Sequence, residues 1–161
     1  MSRQHLDSPP QNKQLDLFRA LPGDIAPRDA QDLMAHPFFS LAKSRRTVPI
    51  DFRSGEVTVR VEGTLEHGIA TIWDADILIW CISRIVADRD SGKNDLRPII
   101  HTTPYALLKG IARGTSGQDY AELLRAIKRL RTTEVETNIR AGRRRYTAFH
   151  YLGDIEGEGE N

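Results

Sequence analysis

The stretch at residues 102–152 constrains the fold most, because it predicts two helices joined by a short turn. Thr102, Thr103 and Pro104 mark the start of the first helix, since threonine caps helix N-termini and proline fits a first helical turn. The apolar residues of this helix recur at spacings of three and four, which places them on one face. They are Pro104, Leu107, Leu108 and Ile111.

A turn at residues 114–117 leads to the second helix, which Ser116 is predicted to cap. Its apolar side chains fall within roughly 120 degrees on a helical wheel and form the predicted core face. They are Tyr120, Leu123, Leu124, Ile127 and Leu130. The face predicted to point directly away from the core carries Gln118, Ala121, Glu122, Arg125 and Arg129, with Lys128 and Thr132 on its flank. Arg131 is predicted to lie nearer the buried side.

Alternating apolar and polar residues predict a hairpin directly after the second helix, with strands at residues 133–139 and 145–152. Gly142 permits the positive φ that a tight tip needs. Arginines are concentrated at this tip, at positions 140, 143, 144 and 145. The order of helix, turn, helix and basic hairpin predicts a winged helix-turn-helix domain.

Positive charge is concentrated in this module. Residues 97–152 hold 11 Lys and Arg against 4 Asp and Glu, a net charge of +7, whereas the whole chain carries only +1. Such a concentration is the electrostatic footprint of a phosphate-binding surface. An arginine-rich amphipathic helix is also a common form of solvated helix face, and spacing alone does not separate base reading from phosphate holding.

We therefore predict double-stranded DNA as the partner of this module. The second helix is predicted to face the major groove, where a guanidinium binds two acceptors of guanine or holds phosphate. The predicted DNA-binding residues of the helices and their turn are Arg113, Ser116, Gln118, Arg125, Lys128 and Arg129. Those of the hairpin tip, predicted to reach the backbone or the minor groove, are Arg140, Arg143, Arg144 and Arg145.

Residues 46–73 predict an additional small antiparallel sheet. It consists of an alternating hairpin, with a two-residue turn at Ser54 and Gly55, and of a third strand at residues 69–73. The edge of such a sheet is either covered or pairs with another chain, so we expect a homodimer through this sheet. The predicted fold class is thus α+β, a winged helix-turn-helix domain with an additional small antiparallel sheet.

A helix that is apolar nearly all round is predicted at residues 74–90, capped by Asp74 and central to the core. A short strand at residues 97–101 is predicted to pair with the wing hairpin, within a winged-helix unit at residues 98–152. The folded domain is expected to span residues 15–152. The remaining segments, residues 1–14 and the acidic, glycine-rich residues 153–161, are predicted to be flexible.

Several segments resemble the plasmid replication initiator protein A family, and the resemblance covers residues 15–155. They are LDLF at 15–18, HPFFSLAK at 36–43, GIATIWDADILIWCISRI at 68–85, and TPYALLKGIARGTSGQDYAELLRAIKRLRTTEVETNIR at 103–140 with the hairpin after it. The resemblance implies a dimerising initiator that binds repeats at a plasmid origin through winged-helix units. It also implies host replication proteins as partners, no catalysis and no cofactor.

Complete members of that family are expected to carry a further region, so this chain is expected to be either such an initiator or its N-terminal winged-helix and dimerisation unit. In related initiators such a unit serves dimerisation and auxiliary DNA contact, while a second unit contributes much of the specific binding. Two alternatives stay open: a winged-helix transcriptional repressor, and a dimerisation module with only non-specific DNA contact. A module that binds proteins alone has no need of a local charge of +7.

No pattern predicts an enzyme or a metal site. The five histidines lack the spacing of a metal-ligand pair, Cys81 has no cysteine partner, and no phosphate-binding loop of nucleotide hydrolases occurs. A nicking initiator needs a histidine pair beside its tyrosine nucleophile, and the chain lacks that pair. Cys81 lies in an apolar run, which predicts a buried side chain. With no bilayer-spanning run and no signal peptide, we expect a cytoplasmic protein.

Overall fold

The computed structural model describes residues 18–19, 38–92, 99–139 and 146–153. Within these residues, three helices and a four-stranded antiparallel sheet share one hydrophobic core, which confirms the predicted α+β class. In chain order the elements are β1 (Phe18–Arg19), β2 (Ile50–Ser54), β3 (Val57–Glu62), α1 (Ala75–Asp90), β4 (Ile99–Ile100), α2 (Pro104–Gly110), α3 (Gly117–Thr132), β5 (Glu134–Thr137) and β6 (Thr147–His150).

The four-stranded sheet joins two hairpins that lie far apart in the sequence. Its strand order is β2-β3-β5-β6, and every neighbouring pair is antiparallel. The pairing of β3 with β5 sets Val61 opposite Val135, and both side chains are fully buried. The predicted sheet at residues 46–73 is therefore not a separate unit, because its hairpin continues into the sheet of the second hairpin.

The first hairpin, β2 and β3, forms as predicted, but its turn lies one residue later than expected. Ser54 still pairs with Val57, so the turn consists of Gly55 and Glu56. Gly55 has a φ of +58°, which glycine adopts without strain at the first position of a tight two-residue turn.

Residues 69–73 do not form the predicted third strand, and that prediction is wrong. Thr71 makes one parallel bridge with Ser40 and then starts the turn that leads into α1. The backbone N–H of Asp74 donates to the carbonyl oxygen of Thr71 at 2.9 Å, and the amide of Thr71 donates to the Asp74 carboxylate at 2.9 Å. These hydrogen bonds form the turn that leads into α1, so the segment does not continue as a strand.

α1 confirms the helix predicted at residues 74–90, but its burial is one-sided. Its first half packs into the core through Ile77, Leu78 and Cys81, whereas Ile79 is exposed. In the second half Ile82, Ile85 and Val86 are only half-buried. The prediction of a central helix surrounded by the core is therefore wrong, since α1 lies at the margin of the core.

Cys81 is buried as predicted, and burial raises the pKa of its thiol to about 12, from an ordinary value of 9.0. The unfolded chain therefore loses this proton at a lower pH than the folded chain. The resulting stability is fully present below pH 9.0 and is lost as the pH rises toward 12, at about 1.4 kcal/mol per pH unit.

Above pH 9.0 we expect the unfolding free energy of the wild type to fall relative to that of Cys81→Ala. Urea denaturation under reducing conditions, repeated at several pH values, measures this difference. The alanine variant is the control for the wild type, since the two proteins share all other titrating groups. A difference that stays constant up to about pH 11 contradicts the raised pKa of the thiol.

β4 pairs with β1, with Phe18 opposite Ile100, and not with the wing hairpin as predicted. That prediction is wrong: in the described sheet β5 lies between β3 and β6, and β4 pairs with none of the four strands. The short strand Ile99–Ile100 instead forms a two-stranded sheet of its own with β1.

The helices α2 and α3 begin where the sequence predicts. Thr103 caps α2, its hydroxyl accepting the N–H of Ala106 at 3.1 Å. Ser116 caps α3 and forms a reciprocal capping box with Asp119. Hydrogen bonds from Ser116 hold the pKa of the Asp119 carboxyl below its ordinary value. The turn between the helices is thus fixed by local side-chain bonds.

The buried face of α3 is rotated slightly from the predicted one. Leu123, Ile127 and Leu130 are buried as expected, but Leu124 is 56% exposed and Ala126 is buried in its place. On this side of α3, Arg129 pairs with Asp74, and Ala126 lines the same groove as Thr71, Trp73 and Asp74. The prediction for Leu124 is wrong because a helical wheel assigns one buried face from the spacing of apolar residues. It does not take into account a second segment of the chain that packs beside the helix.

Some predictions lie outside the described residues. These are the flexible segment at 1–14, the hairpin tip at 140–145, and the acidic tail apart from Gly153. Within the described ranges, no helix combines the length and the apolar character needed to cross a membrane.

Candidate nucleic-acid interface

The outer face of α3 presents polar and basic side chains on a firmly capped helix. Gln118, Arg125 and Lys128 are exposed, as predicted. The guanidinium of Arg125 bonds the carboxylate of Glu122 one turn earlier, at 2.7 and 2.9 Å, and the side chain remains 56% exposed. An exposed ion pair of this kind is weak and exchanges readily, so Arg125 is available to a ligand.

Arg129 is placed differently from its prediction, since it does not point directly away from the core. Its side chain is only 17% exposed, and it binds Asp74, which is 3% exposed. Nε donates to Oδ2 at 2.7 Å and Nη2 donates to Oδ1 at 2.9 Å, a bidentate pair. Arg129 is buried by a tertiary contact, because the turn before α1 packs against this flank of α3. These hydrogen bonds raise the pKa of the guanidinium.

Glu122 connects the two arginines. Its carboxylate accepts from Arg125 and, at 3.1 Å, from Nη2 of Arg129. Partial burial alone raises the pKa of this carboxyl, but the hydrogen bonds and charges of the two arginines outweigh it and hold the pKa below its ordinary value. Glu122 is therefore ionised at neutral pH and offsets part of the positive charge of α3.

Arg113 and Ser116, both predicted to contact DNA, have internal partners. Nη2 of Arg113 donates to the Asp76 carboxylate at 3.1 Å and to the carbonyl oxygen of Trp73 at 3.2 Å. The hydroxyl of Ser116 donates to Asp119 at 2.6 Å as part of the helix cap. Arg113 thus ties the turn between α2 and α3 to the start of α1, whereas Ser116 belongs to the cap of α3. Arg131 is exposed, contrary to expectation, and donates to the carbonyl oxygen of Gly153 at 3.2 Å.

A groove of about 540 Å³ runs along the flank of α3. Its lining comes from three parts of the chain, at residues 43–45, 66–77 and 108–129. Sequence reasoning missed the first of these. The signal was present in the basic run of Lys43, Arg45 and Arg46, but the charge count was restricted to residues 97–152.

Two of the carboxylates that line the groove, those of Asp74 and Glu122, are engaged by arginines. Across the described parts of the chain, no group of three or more His, Cys, Asp or Glu is placed to hold a metal ion. The tip residues Arg140, Arg143, Arg144 and Arg145 lie outside the described residues, so the structure places no part of the predicted basic tip.

A family model described as replication initiator protein A matches residues 28–158. The chain belongs to this family. The match includes α1, α2, α3 and all four strands of the described sheet, so the groove and the face of α3 are parts of the family's matched region. The resemblance noted in the sequence is thereby confirmed.

A relative of this family member comes from Wigglesworthia glossinidia brevipalpis and carries the name "Putative replication protein". It is 36% identical over 106 residues, which cover 66% of this chain and 38% of that protein's length. The matched part thus spans well under half of the relative. No solved structure matches the chain. The family and the relative are both described in terms of replication.

Proposed function

We propose that this protein is a DNA-binding plasmid replication initiator, or the N-terminal unit of one, that recognises repeats at a replication origin. The observation that carries the proposal is the family match over residues 28–158, joined to an exposed basic face on a capped helix. The order α2, turn, α3, β5, β6 supports a winged helix-turn-helix, since β5 follows α3 after one residue and pairs with β6 as a wing does.

In this proposal α3 enters the major groove of double-stranded DNA. Gln118, Arg125 and Lys128 contact bases or phosphates, and the tip arginines reach the backbone or the minor groove. Arg129, Arg113 and Ser116 support them by fixing α3 and its turn, because their polar groups already have internal partners. Host replication proteins are further proposed partners, and the cytoplasm is the proposed place of action.

The test is fluorescence anisotropy with the origin repeats of the plasmid and with a scrambled duplex of equal length, at several salt concentrations. We expect tighter binding to the repeats. The double variant Arg125→Ala/Lys128→Ala is expected to lower the salt slope by up to about 1.8, since each lost phosphate contact removes about 0.9.

A matched control is the double variant Arg84→Ala/Lys109→Ala. It removes the same charge from side chains that lie over Trp80 and Tyr105, outside the groove and off α3. We expect its salt slope to equal that of the wild type. Equal binding of both duplexes points to the alternative of non-specific contact, and the absence of any duplex binding contradicts the proposal. Binding to a promoter but not to the origin favours a repressor.

We also propose a homodimer through the outer edge of β2, because β2 lies at one edge of the sheet. Antiparallel pairing of two copies about Phe52 sets Asp51 opposite Arg53 of the partner subunit, which is a complementary arrangement of charges. Sedimentation at micromolar concentration should give a dimer. Arg53→Asp sets like charges opposite each other and should shift the protein to monomer, whereas a wild type that is strictly monomeric contradicts the proposal.

A further inference from the structure

Residues 43–46 form an exposed basic stretch before β2, with the sequence Lys43-Ser44-Arg45-Arg46. Three of these four residues line the same groove as Arg125 and Arg129 of α3. Basic side chains from two distant parts of the chain thus converge on one groove. The predicted DNA-binding residues included none of this stretch.

The stretch is held in place by backbone hydrogen bonds to the segment before α1. The amide of Ile69 donates to the carbonyl oxygen of Arg46 at 2.9 Å, and the amide of Ser40 donates to Ala70 at 2.9 Å. Gly68 has a φ of +77°, and a Cβ at this position would lie 2.7 Å from Cγ of Arg45. The absence of a side chain at Gly68 therefore leaves room for the stem of Arg45 beside the groove.

Lys43 and Arg45 are less engaged than the arginines of α3 and of the turn before it. Arg113, Arg125 and Arg129 each bind a carboxylate. By contrast, among the described residues neither Lys43 nor Arg45 forms an ion pair, and the ammonium of Lys43 lies 5.6 Å from the centroid of the Trp73 ring. A contact with a ring face leaves the N–H donors of the ammonium accessible. Both cations can therefore bind an anion without the loss of an internal ion pair.

We propose that Lys43 and Arg45 bind the sugar-phosphate backbone of the same duplex DNA whose major groove α3 enters. This inference rests on the proposed function and adds a second contact surface to it. Arginine binds phosphate oxygens through two parallel N–H groups, and lysine acts as a compact point charge. Because phosphates are the same in every sequence, this contact positions the duplex on α3 and contributes affinity without base specificity.

The test compares Lys43→Ala/Arg45→Ala with Arg84→Ala/Lys109→Ala, which removes the same charge outside the groove. We expect the first variant to lower the salt slope by up to about 1.8. It should weaken binding to origin repeats and to scrambled duplex by the same factor, so that their ratio is preserved. Equal losses in both variants overturn the inference, because they show an effect of net charge alone.

Trp73 provides a local readout, since the ammonium of Lys43 lies over its ring. We expect duplex DNA to change tryptophan fluorescence in the wild type and in a Trp80→Phe variant, and to leave it unchanged in Trp73→Phe. No change at Trp73 overturns the inference. If the wild type binds duplex but Lys43→Ala/Arg45→Ala keeps the full salt slope, the inference fails alone, whereas a wild type that binds no duplex overturns the proposed function as well.

Discussion

Arg129→Ala is expected to lower the free energy of unfolding by about 3–5 kcal/mol, because it leaves a buried carboxylate without its cation. Asp74 is 3% exposed, and its remaining donor is the backbone amide of Thr71 at 2.9 Å. One hydrogen bond does not replace the solvation that an ionised carboxylate loses on burial. Urea denaturation followed by circular dichroism measures the change.

Arg125→Ala is the matched control, since Arg125 lies on the same helix and shares the partner Glu122. Its ion pair is exposed, so the expected cost is only about 0–1 kcal/mol. The double variant Arg129→Met/Asp74→Asn removes both charges and should recover part of the lost stability. A cost for Arg129→Ala no larger than that for Arg125→Ala would show that the pair with Asp74 does not hold α3 against α1.

Tyr151→Ala is the second large effect, with an expected loss of about 3–5 kcal/mol in unfolding free energy. The ring is fully buried, stacks on Phe39 with centroids 4.6 Å apart, and meets Phe149 edge-on at 6.1 Å. Its hydroxyl donates to the carbonyl oxygen of Phe38. One side chain thus joins the end of the second hairpin to residues 38 and 39, and its removal leaves a cavity between them.

Two further variants separate the causes of this loss. Tyr151→Phe keeps the ring and removes the hydroxyl, so a loss of about 0.5–1.5 kcal/mol is expected from the missing hydrogen bond to the carbonyl oxygen of Phe38. Tyr146→Ala removes a tyrosine that is 58% exposed and should change stability by less than about 0.5 kcal/mol. Thermal unfolding of the three proteins would contradict this account if Tyr151→Ala were as stable as Tyr146→Ala.

Local signals in the sequence predicted the elements of the fold well. The caps at Thr103 and Ser116 depend on side chains within three residues of the bonds they make, so they are visible in the sequence. The alternation of the first hairpin is similarly local. The pairing of β3 with β5 and of β1 with β4 is not, because periodicity shows which face of a strand is buried but not which strand covers its edge.

The candidate site was predicted less well than the fold. A helical wheel assigns one buried face to a helix, and Arg129 lies 55 positions from the carboxylate that covers it. The charge count of residues 97–152 likewise took arginines as free, although Asp74 and Asp76 lie outside that window and neutralise two of them. Net charge measures a long-range field, whereas the availability of a guanidinium depends on its nearest neighbours.

The union of the two hairpins in one sheet has a consequence for synthesis on the ribosome. Val61 leaves the ribosome 74 residues before Val135, the residue that it faces across β3 and β5. At translation rates of about 5–20 residues per second, this interval lasts roughly 4–15 s. During that time β3 has an unpaired edge and an uncovered row of valines, which can pair with another nascent chain. Prompt completion of α3 and β5 therefore protects this protein from aggregation as it is made.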